Sequence, residues 1–166
     1  MLRGITGADR FSLEMDFGRL QRGEFIGFAG VGVLLVSLFM PWFETSDNPN
    51  AQINGERGEF NAFETFGALD WLLVAACLAP FILAWIVVRG HKLTWRPGEV
   101  TMIVGMVAFA LIILNGVILG KPGDPDSEIS LKIGYLVGLI GSALICVGGI
   151  IRQAEGDRAR KPPGTI

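Results

Sequence analysis

Residues 25–42 read FIGFAGVGVLLVSLFMPW, eighteen positions without a charge, and Ser37 is their only ordinary polar side chain. At a rise of about 1.5 Å per residue, a helix of that length roughly crosses the hydrocarbon core of a bilayer. Three further blocks of the same kind follow. Together they predict spans over about 25–43, 62–89, 98–119 and 129–151. The expected fold is all-α: an integral membrane, antiparallel four-helix bundle with both termini cytoplasmic. Residues 1–24 and 153–166 are then cytoplasmic tails.

Hydrophobic residues make up 51% of the chain. Spread evenly, that fraction would suit a water-soluble domain. Here it is gathered in blocks with the charges between them, which is the pattern of membrane spans. The formal net charge of −2 hides this sorting. Cys77 and Cys146 both fall inside apolar blocks rather than in loops, at different depths, so they read as small packing residues and not as a disulfide. The segment after the first block, FMPWFETSD, carries bulky aromatics and no small-x-small cleavage site, so the first span is expected to stay as an anchor.

The cations set the orientation. Arg3, Arg10, Arg19 and Arg22 precede the first block. Arg89, Lys92 and Arg96 lie between the second and third, and Arg152, Arg158, Arg160 and Lys161 follow the fourth. Only Arg57, Lys121 and Lys132 fall on the other side. Short segments rich in Lys and Arg stay in the cytoplasm. The opposite side collects Glu44, Asp47, Glu56, Glu59, Glu64, Asp124, Asp126 and Glu128. Trp42 and Trp71 are then expected at the outer boundary, and Trp85 and Trp95 at the inner one. The localisation that follows is the cell membrane, multi-pass.

Local signals fill in the connections. In the N-terminal tail, Leu13, Phe17 and Leu20 share one helical face, and Ser12 can cap that helix. A short amphipathic helix on the membrane surface is the simplest reading, and a docking helix for a cytoplasmic partner the alternative. In the longest loop, Asn48-Pro49-Asn50 and Asn54-Gly55 mark turns, the second compatible with a small hairpin. Asn61-Ala62-Phe63-Glu64 has the pattern of a capping box and predicts a helix running from Ala62 to Arg89, with Pro80 kinking it in mid-span. Pro97 suits the first turn of the third helix. Asp126 or Ser127 is placed to cap the fourth, which is expected over about Glu128–Arg152 and to give way to a polar, Pro/Gly-rich tail.

Chemistry is sparse. Charged groups at mid-membrane would mark proton or ion pathways, and the pattern places none there. Asp70 and Asn115 fall at similar depths near the outer ends of their spans. They form a candidate polar pair, either interhelical glue or a small outward-facing site. His91, the one histidine, has no cysteine nearby, and the acidic run 124–128 lacks the spacing of an EF-hand loop, so no metal site is expected. No nucleophile–base pair, phosphate loop or CxxC motif is present, and the scattered cations do not suggest nucleic-acid binding. The chain reads as non-enzymatic, with no catalytic residues and no cofactor.

The glycines form rows. Gly134, Gly138, Gly141 and Gly148 recur at three-, four- and seven-residue steps along the fourth block, with Ser142 and Cys146 beside them. Gly23, Gly27 and Gly30 do the same in the first. Small-xxx-small spacing lets two helices approach closely in lipid. These faces are expected to pack helices together, either within one bundle or between subunits.

Three stretches carry a resemblance: RGEFIGFAGVGVLLVSLFMPWF, FNAFETFGALDWLL and IGYLVGLIGSALICVGGIIR. The chain resembles small four-span membrane proteins of actinobacteria. In those, a Gly-Glu start precedes a first span ending in Leu-Pro-Trp, an aromatic and Asp-containing segment opens the second, and a Gly-Tyr-Leu run opens the fourth. The corresponding positions are Gly23, Glu24, Pro41, Trp42, Phe63, Phe66, Asp70, Gly134 and Tyr135. The resemblance covers most of residues 22–152 and implies a four-span architecture without an assigned activity. The basic residue it leads one to look for near the outer end of the third span is absent, and Asn115 lies in that region.

The expectation drawn from all this is a structural or accessory subunit of a membrane assembly. Its partners are the bilayer and either further copies of itself or another membrane protein. An oligomeric channel or small-solute transporter, with Asp70, Asn115 and the Pro80 kink along its path, is the first alternative. Binding of a lipid or quinone between helices is the second.

Overall fold

The computed structural model describes residues 20–89, 95–118, 122 and 128–160. It is mostly helical, and four helices are long and apolar enough to cross a membrane. In chain order the elements are α1 (Arg22–Phe39), β1 (Phe43–Thr45), β2 (Glu59–Phe60), α2 (Ala62–Thr65), α3 (Leu69–Val88), α4 (Pro97–Ile113), β3 (Ile129–Leu131) and α5 (Ile133–Arg160). A π-helical turn, Leu114–Ile118, extends α4. The surface amphipathic helix expected before residue 20, the loop around His91, the acidic residues 124–127 and the end of the C-terminal tail lie outside the described residues.

α5 is the axis of the bundle, packed along α1 on one side and α4 on the other. Its glycines explain why. A methyl carbon on Gly141 would lie 2.6 Å from the backbone nitrogen of Leu34, and one on Gly148 would lie 2.6 Å from that of Gly27. On α1, a methyl on Gly30 would meet the Ile145 nitrogen at 2.7 Å. Gly98 and Gly105 of α4 press on Gln153 and Cys146 of α5 in the same way. The rows are therefore consumed inside one chain. Between Leu34, Val31, Leu38, Cys77, Ala108, Ile112 and Ile145 runs the buried core. Cys77 and Cys146 are both free.

The outward faces are apolar too. Phe25, Phe39, Leu78, Phe81, Ile82, Leu136 and Ile140 all stand exposed. A water-facing globule would not carry belts of this extent, whereas a bundle surrounded by hydrocarbon would.

The connections depart from an all-α expectation. All three strands lie at one end of the bundle, where α1 ends, α3 begins, α4 ends and α5 begins. Neighbouring helices are thus antiparallel, and residues 20 and 160 lie toward the opposite end. The strands form one antiparallel sheet in the order β2-β1-β3, with Phe43 opposite both Phe60 and Leu131. The Asn54-Gly55 turn forms as its sequence suggests: both residues have positive φ, and Ile53 and Glu56 exchange two backbone hydrogen bonds of 3.0 Å. The sheet itself pairs β1 with β3, which comes from the other loop 86 residues away at Glu44 and Ser130.

The Asn61–Glu64 capping box forms, with Glu64 N–H donating to Asn61 Oδ1 at 3.0 Å and Asn61 N–H to Glu64 Oε2 at 2.9 Å. It starts only one turn. The expected helix from Ala62 to Arg89 is interrupted at Phe66–Ala68, because Phe66 turns extended and sets its ring against Trp42 and Phe43, at 5.9 and 5.7 Å. The long apolar helix, α3, begins at Leu69. α5 likewise differs at both ends: residues 129–131 are strand, and the helix continues to Arg160 rather than stopping at Arg152.

Trp42 is wholly buried, not an interface anchor. Its indole N–H donates to the Ser37 carbonyl at 2.6 Å, and its ring meets Tyr135 edge-on at 5.7 Å. The Tyr135 hydroxyl donates to the Ile112 carbonyl at 3.1 Å, and its ring lies against Gly116. The π turn of α4 falls at this intrusion, as expected where an inserted group disturbs the helical ladder.

Replacing Gly141 by Ala drives a methyl into backbone that cannot yield and is expected to cost about 1–3 kcal/mol. Gly32→Ala, which meets nothing within 4 Å, is expected to be neutral or stabilising by about 0.5–1 kcal/mol. Thermal unfolding in detergent checks both; equal effects would contradict the packing described.

Candidate functional site

The polar side chains gather at the two ends of the bundle. At the end remote from the sheet, Glu24 sits in the first turn of α1 and Arg152 on α5. Glu24 Oε2 accepts from the backbone N–H of Gln21 at 2.8 Å, closing the helix start. Its Oε1 pairs with Nη1 of Arg152. The two side chains are only 8% and 12% exposed. Gly23 and Gly148 make the pairing reachable, since a methyl on either would press into the backbone of the facing helix. The Gly23 N–H points at Glu155 Oε2, 3.4 Å away, and Gln153 Nε2 at Glu99 Oε1, also 3.4 Å away, so α4 joins the same cluster. Spacing along the chain does not join Glu24 to Arg152, which lie at the start of the first apolar block and the end of the fourth. The available signal was a carboxylate at the start of the first span and a guanidinium at the end of the last, each flanked by a glycine row.

At the sheet end, the ammonium of Lys132 lies 2.6 Å from Glu44 Oε2 and 3.3 Å from Glu59 Oε1. Glu44 and Glu59 are directly opposite on β1 and β2. Like charges in that position destabilise a sheet, and Lys132 neutralises them. Its backbone N–H also donates to the Trp42 carbonyl at 2.8 Å. The hydrogen bond to Glu44 is the leading cause that holds the Lys132 ammonium above its ordinary pKa of 10.5, with the bond to Glu59 adding to it against some burial.

Asp70 and Asn115, the candidate polar pair, are each satisfied on their own helix. Asp70 is buried in the first turn of α3, where Oδ1 accepts from Trp71 N–H at 2.9 Å. Asn115, in the π turn, donates from Nδ2 to the Leu111 carbonyl at 3.0 Å. No hydrogen bond joins them among the described residues. Gly30, Gly134, Gly138 and Gly141 stand where a methyl would clash within the chain, Gly134 and Gly138 beneath Trp42, whereas a methyl on Gly27 would meet only Thr101 Cγ2, at 3.8 Å.

Between α3 and α4 lies an open, almost wholly apolar groove of about 290 Å³, lined by Leu72, Ala75, Ala76, Ala79, Ile103 and Ala108 among others. Among the described residues no three His, Cys, Asp or Glu side chains converge as metal ligands would. The chain matches no family model, no curated protein and no solved structure.

Glu24→Gln keeps the shape but leaves the Arg152 charge unpaired, and is expected to cost about 3–5 kcal/mol. Glu24→Leu combined with Arg152→Leu is expected to recover most of that in a thermal melt. If the double variant falls as far as the single, pairing is not what holds the junction. The raised pKa of Lys132 means that its stabilisation is complete below pH 10.5 and is lost as pH climbs through the higher folded value. Lys132→Met is therefore expected to flatten the alkaline limb of the Tm–pH curve.

Proposed function

We propose that this protein is a non-enzymatic, multi-pass component of the cell membrane that serves as a structural or accessory subunit. The observation that supports this reading is the sheet: two loops far apart in sequence are stitched into one rigid platform on the α1–α5 axis. Such a platform fixes a recognition surface more firmly than mobile loops do. The cation distribution supports placing it outside the cell, with both termini in the cytoplasm.

Because the glycine rows are spent within the chain, self-association in this reading uses the outward apolar faces or the platform. Affinity purification of the tagged protein from native membranes in mild detergent is expected to give a defined oligomer or a stoichiometric partner. A monodisperse single copy with nothing attached would contradict it. Orientation is checked separately on a background of Cys77→Ala and Cys146→Ala. Gln52→Cys is expected to react with an impermeant thiol reagent on intact cells, and Arg89→Cys only after permeabilisation. The reverse pattern would overturn the orientation.

The groove between α3 and α4 supports a second reading, binding of a lipid or quinone tail. Its lining side chains are all apolar, and their alanines leave room for a hydrocarbon chain. Native mass spectrometry is expected to show a lipid-sized adduct that Ala108→Leu weakens.

A further inference from the structure

We propose that the end of α3 remote from the sheet holds one anionic phospholipid, with its phosphate on Arg89 and an acyl chain running to the α3–α4 groove. The proposal rests on the reading of that groove as a site for a hydrocarbon chain, and adds to it a headgroup class and the residue that selects it. Arg89 is the C-cap of α3. Side chains on a helix tilt toward its N-terminus, so at this end Arg89 leans back along the helix. Its guanidinium carbon lies 4.1 Å from the centre of the Trp85 ring, one turn earlier. Both side chains are exposed. Trp95, just ahead of α4 at the same end, is exposed as well. Tryptophans in such positions favour the level where hydrocarbon meets headgroups. Trp85 thus holds the cation at the depth of the phosphates in that leaflet, the cytoplasmic one in the orientation proposed above.

Stacking leaves the donors of the guanidinium in play. Trp85 takes up its face, while the N–H groups lie in its plane. A planar fork of that kind matches the paired oxygens of a phosphodiester. The apolar part of the site follows the same helix. Ala75, Ala79, Ile82, Ile86 and Arg89 recur at four- and three-residue steps, which puts them on one stripe. Ala75 and Ala79 line the groove, and Ile82 stands exposed between the groove and the cation. Ala79 and Arg89 are ten positions apart, which is about 15 Å along a helix axis. Half of a hydrocarbon core about 30 Å thick is the same length. An acyl chain that starts at the level of Arg89 therefore ends where the groove begins, beside Ala79 and Ile103. Charge complementarity decides the occupant, because a quinone would fill the groove and bring no anion to Arg89.

Native mass spectrometry of the full chain tests this, in neutral micelles doped with equal amounts of phosphatidylglycerol and phosphatidylcholine. With the same acyl chains, the two probes differ in net charge. Single-lipid adducts of phosphatidylglycerol are expected to outnumber those of phosphatidylcholine by about five- to tenfold. Arg89→Gln is expected to erase the preference. Arg89→Lys keeps the charge without the planar fork and is expected to lose most of it. Arg22→Gln removes an exposed cation at the same end, on α1, and is expected to leave it unchanged. A phosphatidylglycerol carrying a photoreactive group at its chain end is expected to label the protein beside Ala79 and Ile103. Ala108→Leu, which narrows the groove, is expected to weaken both adducts and to keep their ratio. If Ala108→Leu weakens binding while Arg89→Gln leaves the preference intact, the groove reading stands and the headgroup assignment is overturned. If Ala108→Leu changes neither adduct, the groove reading falls and the proposal with it. No preference in the wild type, an equal loss in Arg22→Gln, or a quinone or a second copy bound in place of phospholipid would each overturn the proposal as well.

Discussion

The close approach of α1 and α5 is the constraint on which the other features rest. In hydrocarbon, burying apolar side chains gives helices little reason to associate, because lipid tails are equally apolar. Van der Waals contact over backbone is what remains, and it requires the absence of side chains. Gly23 and Gly30 on one helix and Gly141 and Gly148 on the other supply that absence. Once the two backbones touch, Glu24 reaches Arg152 at one end, and Trp42 lies over Gly134 and Gly138 at the other. The ion pair and the aromatic cap are consequences of one glycine seam.

That seam also fixes the sheet. With the end of α1 held beside the start of α5, the chain leaving one helix and the chain entering the other run side by side and opposite in direction. Pairing of β1 with β3 follows from proximity, and Lys132 is carried to where Glu44 and Glu59 would otherwise repel. The two-residue β2 then completes the platform and brings Phe60 inward. Phe66, drawn into the ring cluster of Trp42 and Phe43, breaks what its capping box would have continued as a helix.

The polar groups are thus arranged for cohesion between elements. Glu24, Arg152, Glu99 and Gln153 tie three helices at one end, and Lys132 ties three strands at the other. Asp70 and Asn115 point to a different economy. A carboxylate at a helix start and an amide inside a π turn find satisfaction in their own backbones, without needing each other. Similar depth along two helices is a necessary condition for a pair, and rotation about each helix axis decides whether it forms.

The amino-acid pattern determined four apolar helices, their alternating direction, the glycine rows, the Asn61–Glu64 cap and the Asn54-Gly55 turn. Each depends on spacing within a few residues, or on length measured against a bilayer, and such quantities are local. Tertiary structure alone decided that the glycine rows face each other inside one chain, that β3 joins β1, that Trp42 is buried, and that Lys132 and Arg152 find their carboxylates. Those are contacts between residues tens of positions apart. They depend on which faces of two helices meet, and periodicity along one helix specifies a face without naming its partner.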